Sequence, residues 1–356
     1  MLSAALATAT ENVRLCAGSV VLPLHHVLRV AEEWSVVDNL SHGRAGISFT
    51  SGWIPNDFAF FPQRFAGRRE EMFDGIEQVR RLWRGESIQV KDGAGNDTQV
   101  KIFPRPVQPE LPLWLTCSGD PQMFVRAGEL GLNVLTALLT QSVEETASKI
   151  ALYREAFARS GRNPESAHVT LMVHTFVGDD DERVLATARA PLRNYLKSHV
   201  GLMETMVKSL NLKADLNREE YLDDLVSFAF ERYYQTASLI GTPNKCLPMI
   251  ERLQTIGVNE VACFIDFGVD AEAVIGSLPH LNALKQLAEA THVRHDQARS
   301  SDVISRVLSD HVRESLSDEM VPSFLMLSAL PLDANGTVDR RTLAQNAFRL
   351  EQPKSV

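Results

Sequence analysis

The chain has 356 residues and a mass of 39.5 kDa, and its 44% hydrophobic and 23% charged residues are the composition of a soluble protein with its own core. Thirty-six Lys and Arg against 45 Asp and Glu give a formal charge of −9, which argues against a nucleic-acid partner. No apolar run approaches the roughly 18 residues of a membrane span, and the N-terminus lacks the basic and apolar regions of a signal peptide, so the expectation is a cytoplasmic protein with no membrane partner.

Strand-like and helical patterns alternate from the start. Apolar runs lie at Val13–Leu22, Ala45–Thr50, Leu113–Cys117, Asn133–Ala137, His168–Val177 and Glu260–Phe267. They are rich in Val, Ile, Leu and Phe and do not alternate strictly with polar residues, as expected of strands buried on both faces of a parallel sheet. Helix patterns fall between them at Val30–Leu40, Arg68–Arg84, Pro121–Leu130, Val143–Ser160, Asp180–Val200 and Lys245–Ile256. Gly43, Gly85, Gly131, Gly161 and Gly257 stand where helices would end. This rhythm predicts an α/β protein, either a (β/α)8 TIM barrel or a doubly wound sheet. Only six good strands are found, two short of a closed barrel. The polar, helical stretch Val200–Ala237 reads as an insertion after a strand. Thr291–Asp302 has linker composition, followed by an amphipathic helix over Val303–Ser315, an apolar run at Ser323–Leu330 and a turn at Asn335–Gly336. The four cysteines form no CxxC pair and are expected to be reduced and buried.

Chemistry is sought at the C-terminal ends of the strands. The first strand ends at Gly18 and Ser19, where a glycine lets a flat ring approach the backbone or simply marks a bulge. His25 and His26 follow, as acid/base groups or as helix caps. The second strand runs into Ser51, Gly52 and Trp53, suited to a phosphate and a stacked ring or to a tight turn. Arg68 and Arg69 start the next helix, where a cation wants either a phosphate or a nearby carboxylate. Ser118 and Gly119 precede the Asp120–Pro121 helix start and form an anion nest. His174 lies in mid-strand, either a bonded core histidine or a group aimed at the cavity, and Asp266 near the last strand's end has the same two readings. Nothing matches a metal triad, a nucleophile elbow or paired glycosidase carboxylates. A phosphate-plus-ring site, for a flavin or a nicotinamide, remains.

At these same residues the sequence resembles the luciferase-like flavin monooxygenases. The match begins with GSVVLPLHHVLRVAEEWSVVDNLSHGRAGISFTSGWIPNDF from Gly18 to Phe58. PLWLTCSGDPQMFVRAGELGLNVLTALL, HTFVGDD and EVACFIDFGVD narrow it to the monooxygenase domains embedded in nonribosomal-peptide and polyketide assembly lines. The resemblance spans residues 1 to about 290 and implies a (β/α)8 barrel using FMN, reduced by a separate flavin reductase, and O2. It implies a cis peptide at Gly18–Ser19 against the flavin ring, with the phosphate near Ser51, Gly52, Ser118, Gly119 and Arg68 or Arg69. Bacterial luciferase has an arginine where Ser51 stands. The family's first two βα units, with a histidine used near the flavin, would precede Met1, so the resemblance implies an N-terminally incomplete barrel whose catalytic residue is unassigned, with His25 and His174 as weak candidates. Related barrels bind the deazaflavin F420, which makes a hydride-transfer oxidoreductase one alternative; an inactive fragment serving as an interaction module of a synthetase is another. Implied partners are acyl or peptidyl carrier proteins, synthetase modules and a second copy in a homodimer. DEMVPSFLMLSALPLDANGTVDRRTL (Asp318–Leu343) resembles the end of an amino-acid adenylation domain, with Thr337 in place of that family's lysine. The implied layout is a barrel domain over 1–290, a linker over 291–302 and an adenylation-domain remnant over 303–348.

Overall fold

The computed structural model describes residues 2–198, 219–313, 331 and 338–343. Among these, the strands in chain order are β1 (Leu15–Val21), β2 (Ala45–Thr50), β3 (Ile88–Lys91), β4 (Asp97–Val100), β5 (Leu113–Thr116), β6 (Asn133–Ala137), β7 (Val169–Val177), β8 (Leu239–Gly241) and β9 (Glu260–Phe264). The helices are α1 (Leu2–Ala9), α2 (Val27–Leu40), α3 (Arg68–Arg84), α4 (Pro121–Glu129), α5 (Val143–Arg159), α6 (Asp181–Ser198), α7 (Glu219–Thr236), α8 (Pro243–Thr255) and α9 (Ala271–Arg313). All six apolar runs are strands, and the six helix patterns recur as α2 to α6 and α8. Each glycine expected at a helix end has positive φ, from 60° at Gly131 to 92° at Gly257.

Seven strands form one parallel sheet in the order β1-β2-β5-β6-β7, where β9 pairs with Thr170–His174 of β7 and β8 with Thr175–Val177. The α/β class and the parallel sheet are therefore as expected. Among the described residues β1 pairs only with β2 and β9 only with β7, so these residues do not close an eight-stranded ring. β3 and β4 make a separate antiparallel hairpin with alternating exposed positions, which the search for continuous apolar runs passes over.

Side chains of the sheet divide by parity. Ile47, Phe49, Leu115, Val134, Val169, Leu171 and Val173 are all fully buried on the face covered by helices. At roughly 1.5–3 kcal/mol for each large apolar side chain, this layer is the main source of stability. α4 and α5 meet so closely that a Cβ on Gly128 would lie 2.5 Å from the Tyr153 carbonyl oxygen. α5 opens with a capping box in which Ser142 and Glu145 satisfy each other's backbone N–H groups. The long connection from the hairpin back to β5 is tied down by Asp38 of α2. Its buried carboxylate accepts from the backbone N–H groups of Val107 (2.8 Å) and Gln108 (2.9 Å) and from the Gln108 amide (2.7 Å).

Residues 291–302, with linker composition, lie within α9. The polar stretch 200–237 is helical where described, as α7; β8, just beyond it, has three residues, too short to show any periodicity, and is not among the expected strands. The cysteines are unpaired, but only Cys117 and Cys246 are buried; Cys263 is half-buried and Cys16, on the edge strand β1, is exposed. The chain divides into a unit ending at Leu284 and one beginning at Lys285. In the second, Asp339 caps a short turn through the N–H groups of Arg341 and Thr342. The apolar run 323–330, the turn at 335–336 and Thr337 lie outside the described residues.

Candidate functional site

The opposite, inner face of the sheet carries a different set of side chains. Parallel register places Gly18 beside Ser48, Thr116 beside Leu135, and His174 beside Phe264. Register shifts between Gly18 and Val20, so Ser19 is an extra residue in β1 with no partner in β2. That bulge lets Ser19 present its side chain on the same face as Gly18. The Gly18–Ser19 peptide bond is cis, at the position the family resemblance implies. Ser19 Oγ is hydrogen-bonded to Thr116 Oγ1, which also lies 2.7 Å from Ser48 Oγ. Three hydroxyls from three adjacent strands thus form one cluster beside a glycine. Gly18 is open on that face: an added Cβ would meet only Leu135, at 3.4 Å.

Beyond the strand ends, two loops converge on the start of α3. Arg68 Nε donates to the Gly52 carbonyl (3.1 Å), and its Nη1 donates to the Phe65 carbonyl (2.8 Å) while the guanidinium lies over the Phe65 ring. Arg69 pairs with Asp120 at 3.0 Å. Consecutive arginines therefore clasp the loop after β2 to the loop after β5. Gly52 has φ 77°, and a Cβ there would collide with Val21 at 2.7 Å, so this turn needs glycine. Asp120 caps α4 by accepting from the Gln122 N–H at 3.0 Å. Ser118 and Gly119 precede it in the open, and nothing lies within 4 Å of a Cβ built on Gly119. Of the two readings for the arginines, the carboxylate is what Arg69 finds. Trp53 is exposed, as is Asp266.

The histidines separate. His26 caps α2 through Nδ1, which accepts from the Leu28 N–H at 3.3 Å, and both His25 and His26 are exposed. His174 is 1% exposed and enclosed by the rings of Tyr195, Tyr233, Phe264 and Phe267, with Nδ1 2.9 Å from Tyr233 Oη. Burial pushes the Tyr233 phenol well above its usual range, so it is a neutral hydrogen-bonding group.

On the same rim, at the end of β6, a cleft of about 210 Å3 opens between the segment Leu138–Glu144 and α7. Leu138, Leu196, Ala229 and Tyr233 give it apolar walls, and Arg232 and Arg252 supply positive charge, the latter paired with Glu144. Gln141 in its wall is backed by Lys149, whose Nζ donates to Gln141 Oε1 at 2.7 Å, while Gln141 Nε2 donates to Thr136 Oγ1 at 2.9 Å. Burial lowers the Lys149 pKa below the ordinary lysine value, opposed by the charges of Glu145 and Asp120. Sequence reasoning passes over Ser48, Thr116 and Gln141. Their only local signal is a hydroxyl or amide at or near a strand end, and their partners come from register.

Comparison with known proteins fits this geometry. The family model described as luciferase-like monooxygenase matches residues 1–260. The oxygenase component of a flavin-dependent trigonelline monooxygenase from Acinetobacter baylyi is 25% identical over 287 residues, 78% of this chain and 76% of that protein. Among solved structures, the F420-dependent tetrahydromethanopterin reductase of Methanopyrus kandleri aligns with a TM-score of 0.61 at 16% identity, over 77% of this chain and 83% of its own. The oxygenating constituent of 3,6-diketocamphane monooxygenase from Pseudomonas putida, solved with FMN, aligns at 0.58 and 18% identity, over 78% and 80%. Both structures share the fold. With nearly three-quarters of its length matched by the family model, the chain belongs to the luciferase-like monooxygenase family and is by that membership a flavin-dependent monooxygenase.

Proposed function

We propose that this enzyme holds reduced FMN along the C-terminal ends of β1, β2 and β5 and uses it with O2 to oxygenate a natural-product intermediate carried on an acyl or peptidyl carrier protein. The observation that carries the reading is the convergence at three neighbouring strand ends of a bare glycine, a hydroxyl cluster and two clasped polar loops. The fit to a flavin is good at the ring end, where Gly18 leaves the inner face open and Ser19, Ser48 and Thr116 offer hydroxyls to ring polar atoms. At the phosphate end, Ser51, Gly52, Ser118 and Gly119 offer hydroxyls and backbone N–H groups, with Arg69 partly neutralised by Asp120. Bound FMN supplies the oxygen-activating chemistry. The chain's own part is to orient and to keep water out: the clasp by Arg68 and Arg69 fixes two binding loops relative to each other, and the buried aromatic box around His174 walls the rim on the β7 side. His174 is then a positioning group that holds Tyr233 and through it α7, and His25, on the open rim, is the histidine free to meet a substrate.

The sheet is read as part of a (β/α)8 barrel, a reading supported by the shared fold of the solved relatives. A separate flavin reductase would supply the reduced cofactor, as the designation of the Acinetobacter relative as an oxygenase component suggests. The apolar cleft with Arg232 and Arg252 at its margin suits an acyl chain bearing an anionic group, the chemistry of a carrier-bound intermediate. The assembly-line setting rests on the sequence resemblance of the barrel residues and of Asp318–Leu343.

Anaerobic titration of the full chain with reduced FMN, followed by flavin fluorescence, tests the reading, with F420 in a parallel arm. Saturation by FMN is expected. Absence of binding at tens of micromolar, about −6 kcal/mol or weaker, would leave only the interaction-module alternative, and binding of F420 alone would make the enzyme a hydride-transfer oxidoreductase.

A further inference from the structure

At the other end of the sheet, where β5 and β6 begin, Arg80, Arg84 and Arg162 line a cavity of about 270 Å3 together with Glu110, Leu111, Pro112, Leu113, Gly131 and Asn133. Leu113 and Asn133 are the first residues of their strands, so the cavity lies at the strand ends opposite to the candidate flavin site. Each guanidinium is already engaged in the fold. Arg80 Nη1 donates to the Leu130 carbonyl (3.0 Å), and Arg162 Nη1 donates to the Glu129 carbonyl (3.3 Å) and to Ser160 Oγ (2.8 Å); together they satisfy the C-terminus of α4. Arg84 pairs with Glu110 at 2.6 Å. A guanidinium carries five N–H donors, and among the described residues these bonds engage only a minority of those on Arg80 and Arg162.

Three cations and one carboxylate line the cavity, in a chain whose formal charge is −9. Burial lowers the Arg80 pKa; Glu77 opposes this, while Arg162 and Arg84 lower it further, which places the like charges within range of one another. Capping α4 needs only one cation, because the dipole at a helix end amounts to about half a charge. The excess is what an oxyanion would neutralise.

We propose that this cavity is an anion-binding site for a phosphate-class ligand, held in the forks of Arg80 and Arg162 with Arg84 and Asn133 at its margin, separate from the flavin site. Guanidinium forks match phosphate oxygens two at a time, and the partly enclosed setting strengthens each charge-assisted bond. The site is independent of the cofactor reading, because none of its residues lies on the loops assigned to FMN.

Isothermal titration of the full chain with inorganic phosphate tests the proposal, beside R80Q/R162Q, E110Q and R29Q. Losing two charge-assisted contacts should weaken phosphate binding about 10-fold or more in R80Q/R162Q. E110Q removes the competing carboxylate from an exposed position and should bind phosphate several-fold tighter, an outcome that no folding defect can imitate. R29Q, which breaks an exposed Arg29–Glu33 pair on α2 away from both sites, should bind as the wild type does. Parallel arms with pyrophosphate and glycerol phosphate separate the free ion from a phosphorylated metabolite as the source. Phosphate affinity unchanged in R80Q/R162Q, lost in R29Q, or absent at millimolar concentration from both wild type and E110Q would overturn the site.

Discussion

Thr116→Val removes one oxygen from the centre of the inner-face hydroxyl cluster and keeps the shape of the side chain. Thr116 Oγ1 is the common partner of Ser19 Oγ and Ser48 Oγ, so two hydrogen bonds go with it. At about 1 kcal/mol each they account for roughly 2 kcal/mol. Ser48 is 2% exposed and would lose its hydroxyl partner in a place water does not reach easily, which adds about 1–2 kcal/mol. The total of about 3–4 kcal/mol corresponds to a Tm lower by roughly 6–15 °C for a domain of this size. Thr116→Ser is the matched control, because it keeps the oxygen and forfeits one methyl group, about 1 kcal/mol. Calorimetry on both variants, with anaerobic FMN titration as a second readout, checks the reasoning. T116V should melt lower than T116S and bind FMN more weakly, since Ser19 no longer has its anchor. If T116V melts at or above T116S, the cluster contributes nothing to the site and its assignment fails.

Other positions give equally direct tests. Gly128→Ala would add about 1 kcal/mol of helix propensity, but the new Cβ lies 2.5 Å from the Tyr153 carbonyl and 2.7 Å from the Phe157 nitrogen, both backbone atoms, so α4 and α5 must part. The net effect is a loss of at least about 1–2 kcal/mol in urea unfolding, and a variant as stable as the wild type would show that the helices yield freely. Asp38→Ala strips three donors of one buried acceptor and should cost about 3–5 kcal/mol, with new protease cleavage between residues 101 and 112 as the local sign; cleavage unchanged there would mean the loop is held by other contacts. Glu260 accepts from His168 and Thr170, and the His168 bond in particular holds its pKa below the ordinary 4.5 despite partial burial. Because the folded value is the lower one, its contribution is complete above the unfolded pKa and disappears as pH falls through the folded pKa. The stability difference between wild type and E260Q should thus be flat above about pH 5 and shrink below it, and a difference that grows on acidification would contradict the assignment.

Legibility in the sequence followed the length scale of each interaction. Strands such as Val169–Val177 announce themselves because burial on both faces demands a continuous apolar run, and each run stands alone as a signal. Leu239–Gly241 has three residues and no period to detect, and the β3–β4 hairpin is exposed on alternate positions around a turn tied by Asp92. Site residues divide in the same way. Gly18, Gly52 and Gly119 stand out locally because glycine at a strand end has few uses. The Thr116 cluster joins residues 97 and 68 positions apart, and the Arg69–Asp120 clasp spans 51. Such pairs exist only once the strand order is known. The excess charge around Arg80 is equally invisible in the sequence, where its three arginines are separated by ordinary helical spacing and then by a hairpin and two βα units.

Cys16 differs from the other three thiols in a way that makes it a built-in reporter. Cys117 is buried with its pKa driven far up, Cys246 is buried with its pKa raised to about 12, and Cys263 is half-buried with its pKa raised. Cys16 alone is exposed, on the inner face of the edge strand, with its sulfur in the notch left by Gly46 beside the Trp114 ring. Its pKa is also raised by burial of the sulfur's surroundings, opposed by Arg14, so alkylation should be slow enough to time and selective enough to count. A mass shift of one adduct, and the rate at which it appears, would measure how open that edge of the sheet is. Any chain segment, cofactor or second copy that comes to lie along β1 would then be detected as protection of a single native sulfur, with Trp114 emission as an optical companion and no engineered label.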